Sequence, residues 1–435
     1  MSIRPAEYAS RRQHLMSQMA ANSIAILPAS PVCNRNNSVD YPYRPNSDFY
    51  YLSGFDEPEA VLVLIPGREH GEYILFCRER NPEKELWDGL RAGQEGAIRD
   101  FGADDAFPIG DIDEILPGLL EGRDRVYYSV GKNLTFDQQL MDWVNTIRSK
   151  ARLGASPPKE FVMLDHLLHD MRLYKSAAEI GQMQRACDIS SRAHVRAMQA
   201  VQPGMHEYQL EAELDYEFRR NGARFAAYSS IVAGGANACI LHYINNDARL
   251  NDGDLVLIDA GCEVNCYASD ITRTFPVSGR FSPEQKALYE VVLAANLAAI
   301  ECVQPGRHWN EPHETSVRVI TEGLVRLGLL QGEVDELIAG DAYRPFYMHR
   351  AGHWLGLDVH DVGDYKVGGQ WRVLEPGMCL TIEPGIYVAK DNLAVDARWR
   401  GIGIRIEDNL VVTQTGHSIL TGGVPKAVDE IEALM

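Results

Sequence analysis

The sequence predicts an α/β N-terminal domain, residues 1–173, followed by an α+β domain, residues 174–435, built as an internal duplication about a pseudo-two-fold axis. Three observations carry this. At 435 residues the chain exceeds the length at which one hydrophobic core stops growing, so two domains are expected. The first 172 residues alternate short strands and helices. From residue 174 onward a helix, helix, strands pattern runs twice, and each run carries two carboxylates in otherwise apolar β-type segments.

In the first domain, 60–65 and 73–77 are alternating or continuous apolar runs, and Pro66 to Gly71 supplies the turn residues of a hairpin. No dense cluster of chemically active residues stands out there. A boundary falls near Leu173-Tyr174-Lys175. Directly after it, Ser176-Ala177-Ala178-Glu179 forms a capping box that starts a helix running to about Ala200. Val201-Gln202-Pro203-Gly204 ends that helix, and the same four letters recur at Val303-Gln304-Pro305-Gly306 after a helix opened by Ser282-Pro283. Further amphipathic helices are expected around 206–220 and 313–328.

The strand units then follow. Gly253 to Gly261 ends in Asp259, and Asp270 lies on the next strand before Thr272. In the second copy Pro376 to Gly385 carries Glu383, and Glu407 follows Arg405 in Gly403-Ile404-Arg405-Ile406-Glu407. Strand alternation puts Arg405 and Glu407 on one face with Ile404 and Ile406 on the other. Four acids on such segments are costly to bury without positive charge among them, and a pair of divalent cations is the simplest partner. A matching axis would bring two acids from each copy to one site.

Met348 to Gly363 holds three of the chain's 13 histidines: His349, His353 and His360. His349 and His353 have zincin spacing, but no Glu follows the first and Gly352 opposes a helix. One imidazole with four carboxylates is the more economical site. Such an oxygen-rich set suits Mn²⁺, with Co²⁺ or Zn²⁺ able to substitute. Two ions can hold a hydroxide at neutral pH and polarise a carbonyl at once, which points to hydrolysis of an acyl bond. Read alone, a strand-end Asp is a turn residue, Trp87 a packing residue, and His242 or His360 an ordinary core or surface histidine.

Composition narrows the partners. The net charge of −19 disfavours nucleic acid and anionic membranes. No stretch is apolar enough to span a bilayer. Ser10-Arg11-Arg12 lacks the apolar run of an export signal, so a surface helix and a cytoplasmic location are expected. The eight cysteines form no C-x-x-C pair and read as buried reduced thiols.

With these residues in view, the chain resembles the bacterial aminopeptidase P (Xaa-Pro aminopeptidase) group of the creatinase-like "pita-bread" metallopeptidases. The resemblance runs over essentially the whole chain, from Tyr41-Pro42-Tyr43-Arg44 and Asn46-Ser47-Asp48-Phe49 to Glu407-Asp408. It implies Asp259, Asp270, His353, Glu383 and Glu407 as ligands of two divalent ions, with Asp270 and Glu407 shared between them. It also implies roles for His242 and His360 in substrate contact and proton movement, with Glu383 as proton carrier. His349, Arg405 and Tyr387 would line the site. Trp87, in Leu86-Trp87-Asp88-Gly89-Leu90-Arg91, resembles a tryptophan that reaches substrate from a neighbouring subunit. Further implications are proline-containing peptide substrates, a homotetramer, and an N-terminal domain that limits access to the site. Prolidase, and a non-catalytic pita-bread binding module, are the competing readings.

Overall fold

In the computed structural model, residues 3–435 are described, and they divide into two compact units, Ile3–Arg172 and Leu173–Met435. The first unit is built on a six-stranded mixed sheet in the order 105–108, 73–77, 61–64, 23–28, 125–127, 160–162. The hairpin expected from the sequence is present as Val61–Leu64 against Tyr73–Cys77, a little shorter than its apolar run. Ile24, Ile26, Val63, Ile74 and Phe76 are fully buried on this sheet.

The segment Pro5–Gln18 is helical, but it does not leave its arginines on the surface. Arg11 and Arg12 are buried and donate to the carbonyls of Tyr51 and Leu52. Arginine can do this because its stem is apolar and its fork satisfies open carbonyls. A second departure from the sequence reading is a polar cluster in this unit. Asp48 pairs with Arg172 at 2.6 Å and lies 3.5 Å from both His169 and Lys132. The residues come from distant parts of the chain, so no local pattern signals them. Arg172 and Lys132 already provide the cationic partners that the carboxylates need.

This cluster carries a pH prediction. Burial alone raises the Asp48 carboxyl, yet the His169 hydrogen bond and the Arg172 charge outweigh it and hold the group well below its ordinary value. A carboxyl depressed in the folded state stabilises fully above its unfolded pKa, and that contribution is lost as pH falls through the folded value. The stability difference between wild type and Asp48→Asn in urea unfolding should therefore be constant from pH 7 to about pH 4 and shrink steadily from about pH 4 down to the lowest accessible pH. Parallel curves over that lower range would remove the assignment.

In the second unit the duplicated pattern is plain. Helices Ala177–Ala200 and Glu207–Arg220 pack as one pair, and Pro283–Glu301 and Glu311–Arg326 as the other. The Ser176–Glu179 capping box forms with both of its hydrogen bonds. The first copy's strand Leu255–Asp259 pairs antiparallel with Thr272–Pro276, and the second copy's Cys379–Ile382 pairs antiparallel with Asp408–Val412. One core runs through both helix pairs and the strands of both copies, from Ala186 and Leu214 to Ile404 and Ile406.

The cysteines are all free, and five are buried. Cys33 is exposed and Cys239 and Cys266 are half-buried, so the expectation of buried thiols fails at three of the eight.

Candidate active site

The four acids occupy strand ends rather than strand interiors. Asp259 is the last residue of its strand, Glu383 follows Ile382, Asp270 lies two residues before Thr272, and Glu407 fills the break between Arg405 and Asp408. This corrects the expectation that Asp270 and Glu407 lie on strands. The alternation argument still gives the right faces: Ile404 and Ile406 enter the core while Arg405 and Glu407 line a cavity.

Bonds between the copies fix the ends in place. The Glu407 N–H donates to the Thr272 carbonyl at 3.0 Å, and Asp270 N–H donates to the Asn409 side-chain oxygen at 2.9 Å. The Thr272 hydroxyl donates to Glu407 Oε2 at 2.7 Å. The first helix of each pair contributes as well. His194 donates to the carbonyl of Ala260, and the Asn296 amide donates to the carbonyls of Ile382 and Ile406. Each of these carbonyls adjoins one of the acids, and the bonds satisfy backbone groups that the ended ladders leave open.

His353 enters from an irregular segment laid against strand Cys379–Ile382. Gly352 permits the approach, since a Cβ there would meet the Thr381 carbonyl oxygen at 2.0 Å. The His353 Nδ1–H donates to the Trp354 carbonyl at 2.9 Å, which leaves Nε2 as the free nitrogen, 3.4 Å from Asp270 and 3.5 Å from Glu383. Asp270, His353 and Glu407 present donor atoms within 4.8 Å of one another.

All of these face a cavity of about 1230 Å³. Asp259, Asp270, His353, Glu383, Glu407, His242, His349, His360 and Arg405 line it. Tyr387 lies just beneath, its hydroxyl 2.9 Å from His349 Nε2 and accepting from Arg405 at 3.0 Å. The other Arg405 nitrogens reach Asp259 at 2.6 Å and Thr272 at 3.1 Å. Trp87 belongs to the N-terminal unit, where it stands 85% exposed on the short helix Pro82–Asp88.

Sequence reasoning missed Tyr228. Its hydroxyl lies 2.6 Å from both Asp259 and Asp270 and holds the first copy's acids in register. It sits in a loop with no periodic pattern, as does the cavity-wall Tyr365, while Trp371 lies in a two-residue strand too short to show one. His194 and Asn296, on helices, and Asn409, on a strand, were equally silent, because a polar residue looks the same in sequence whether it meets water or a buried backbone group.

The electrostatics test whether cations fit. Burial pushes Glu383 up to about 7 against the pull of His353, and raises Glu407 well above the carboxylate range with repulsion from Asp270 adding to it. Burial also raises Asp259 despite Arg405. Burial would lower His353, but its bond to Asp270 and the charge of Glu383 hold it up at about 9. Burial thus makes three of the four acids harder to ionise, while Asp270 is held below its ordinary value, against burial, by its hydrogen bond to His353. Four convergent carboxylates and one oriented imidazole are a donor set that divalent ions fit.

The chain matches the model of metallopeptidase family M24 over residues 181–414. It belongs to that family. Residues 8–127 match the aminopeptidase P N-terminal domain. The chain is 47% identical to an Xaa-Pro aminopeptidase of Escherichia coli (strain K12), covering 99% of this chain and 97% of that protein. Among solved structures it is similar to the aminopeptidase PepP of Pseudomonas aeruginosa, with a TM-score of 0.99, 70% identity, and coverage of 100% of this chain and 98% of that one. It is also similar to zinc-substituted Escherichia coli aminopeptidase P in complex with product, with a TM-score of 0.97, 46% identity, and coverage of 100% and 99%. The second unit is thus the M24 pita-bread domain, and the protein is a metallopeptidase.

Proposed function

We propose that this protein is an Xaa-Pro aminopeptidase, which releases the first residue of peptides whose second residue is proline, at a centre of two divalent ions. The observation that carries the reading is the convergence of Asp259, Asp270, His353, Glu383 and Glu407 on one cavity, two acids from each copy of the repeat.

These five would hold the ions, with Asp270 and Glu407 as the shared ligands. Manganese is the first choice for so oxygen-rich a set, and cobalt or zinc could replace it. When bound, the ions supply Lewis acidity toward the scissile carbonyl and make water acidic near neutral pH. Glu383 takes the proton of the attacking water and delivers it to the departing nitrogen. That nitrogen, in a proline, carries no hydrogen of its own and leaves only when protonated. His360 and His242 donate toward the oxygen that gains negative charge. Arg405 holds Asp259 and Tyr387, and so positions His349, by the bonds described above. Ile231, Leu241 and Ile244 give the cavity an apolar wall for the ring and the first side chain.

The reading extends to a homotetramer in which Trp87 reaches a neighbour's substrate. Its supports are the exposure of Leu86, Trp87 and Leu90, each above 80%, and the likeness to aminopeptidase P. Eight free cysteines fit a reducing compartment, which we take to be the cytoplasm.

Xaa-Pro is offered beside Xaa-Pro-Pro-Yaa with Mn²⁺ present. Release of the first residue from the longer peptide is the expected result. Faster cleavage of the dipeptide alone would make the protein a prolidase, and inertness toward both after metal loading would make it a binding module.

A further inference from the structure

Two cationic side chains in the cavity wall take no part in the chemistry above. We infer that Lys366, Arg350 and Trp371 form a subsite at the cavity mouth for a carboxylate carried downstream of the proline. The inference rests on the Xaa-Pro aminopeptidase reading.

Lys366 and Trp371 are register partners in a small hairpin, Lys366–Val367 against Gln370–Trp371. Gly368 and Gly369 turn it with φ of 58° and 81°, angles that favour glycine. The hairpin is anchored at its base. Trp309 N–H donates to the Arg372 carbonyl at 2.9 Å, and the Trp309 ring lies 4.8 Å from that of Tyr365. The Lys366 ammonium stands 4.3 Å from the Trp371 ring centroid, and the Arg350 guanidinium 5.0 Å from the same centroid. An indole face attracts cations and keeps both side chains over the cavity. Both cations line it and both are exposed, which puts them at its opening. Arg350 donates to the Asn310 side chain, and neither cation enters an ion pair among the described residues.

The direction of the peptide follows from its chemistry. An aminopeptidase substrate has one residue upstream of the scissile bond, so its ammonium stays within about 3.5 Å of extended chain from the reacting carbonyl. Two cations at the mouth repel that ammonium and leave it at the acidic floor. Everything else in the peptide lies beyond the proline and leaves through the mouth, past Lys366 and Arg350. A carboxylate there meets two positive charges, with Glu314, held behind Asn310, the anion that competes for Arg350. It can come from an acidic side chain in the third position or from the free C-terminus of a tripeptide.

The test uses Ala-Pro-Glu-NH2, Ala-Pro-Ala with a free carboxylate, Ala-Pro-Ala-NH2 and Ala-Pro-Lys-NH2 with manganese-loaded protein at low salt. The two carboxylate peptides should exceed the neutral amide in kcat/KM by about fivefold, the size expected of exposed ion pairs. The lysine peptide should fall below it. Whichever carboxylate peptide is faster identifies the source. In Lys366→Glu the ratio of the glutamate peptide to the neutral amide should drop below one, and 0.5 M NaCl should shrink the wild-type ratio. Because the ratio is taken within one protein, an unfolded fraction does not alter it. Equal kcat/KM across the four peptides, or an unchanged ratio in both Lys366→Glu and Arg350→Glu, overturns the subsite alone. Cleavage of no proline peptide overturns the aminopeptidase reading and this inference with it.

Discussion

Asp270→Asn should lower kcat/KM for proline peptides by on the order of 10³-fold or more, equivalent to several kcal/mol of lost transition-state stabilisation. The side chain is nearly isosteric, so the fold has little reason to respond. What changes is charge at the point where both copies meet. Asp270 is 5% exposed, lies 3.4 Å from His353 Nε2, and accepts from Tyr228 at 2.6 Å. On the proposed reading it is a ligand shared by two cations, so an amide there would weaken both. Metal content after dialysis, measured beside activity, should show fewer than two ions per chain. Full turnover with two retained ions would remove Asp270 from its bridging place.

Arg273→Met should destabilise the second unit by about 3–5 kcal/mol, the cost of leaving a buried charge without its partner. Arg273 is fully buried, pairs with Asp408 at 2.7 Å, and donates to the carbonyl of Glu407 at 2.6 Å and of Thr272 at 3.0 Å. Burial would raise the Asp408 carboxyl, but Arg273 and Lys426 hold it down at about 2, so it is ionised at neutral pH. Methionine fills much of the space but leaves those acceptors open, with Lys426 at 2.6 Å as the remaining cation. Urea unfolding of metal-free protein isolates this effect from ligand binding. A change below about 1 kcal/mol would show that Lys426 alone neutralises Asp408.

The two variants probe neighbouring residues for different reasons. Asp270 faces the cavity and tests chemistry; Arg273 faces inward and tests the seam between copies.

Much of this arrangement was legible in the chain because local rules carried it. The Ser176–Glu179 box, the Gln-Pro-Gly helix stops and the apolar strands are short-range features whose physics does not depend on distant residues. Repetition did the rest: a carboxylate closing an apolar strand is ambiguous once, and informative when the same unit recurs 124 residues later, from Asp259 to Glu383. His349, His353 and His360 were visible by their density, and the family resemblance singled out His353 among them as the expected ligand.

Other parts depended on long-range packing. Tyr228, His194, Asn296 and Asn409 have no local signature, yet they orient the acids across separations of up to 139 residues. The Asp48–Arg172 pair joins positions 124 residues apart and was invisible for the same reason. The strand breaks at Asp270 and Glu407 escaped notice because alternation continues through a break and reports only facing.

The sequence by itself determined the two-part organisation, the duplication, and the chemistry of four acids with nearby histidines. Hydrophobic period and residue type are properties of short segments, and they survive without a fold. Only the tertiary structure decided which nitrogen of His353 is free, that Tyr228 spans two acids, and that Lys366 and Arg350 share one indole at the cavity mouth. Those facts are distances between residues remote in the chain, and chain order does not encode them until packing brings the segments together.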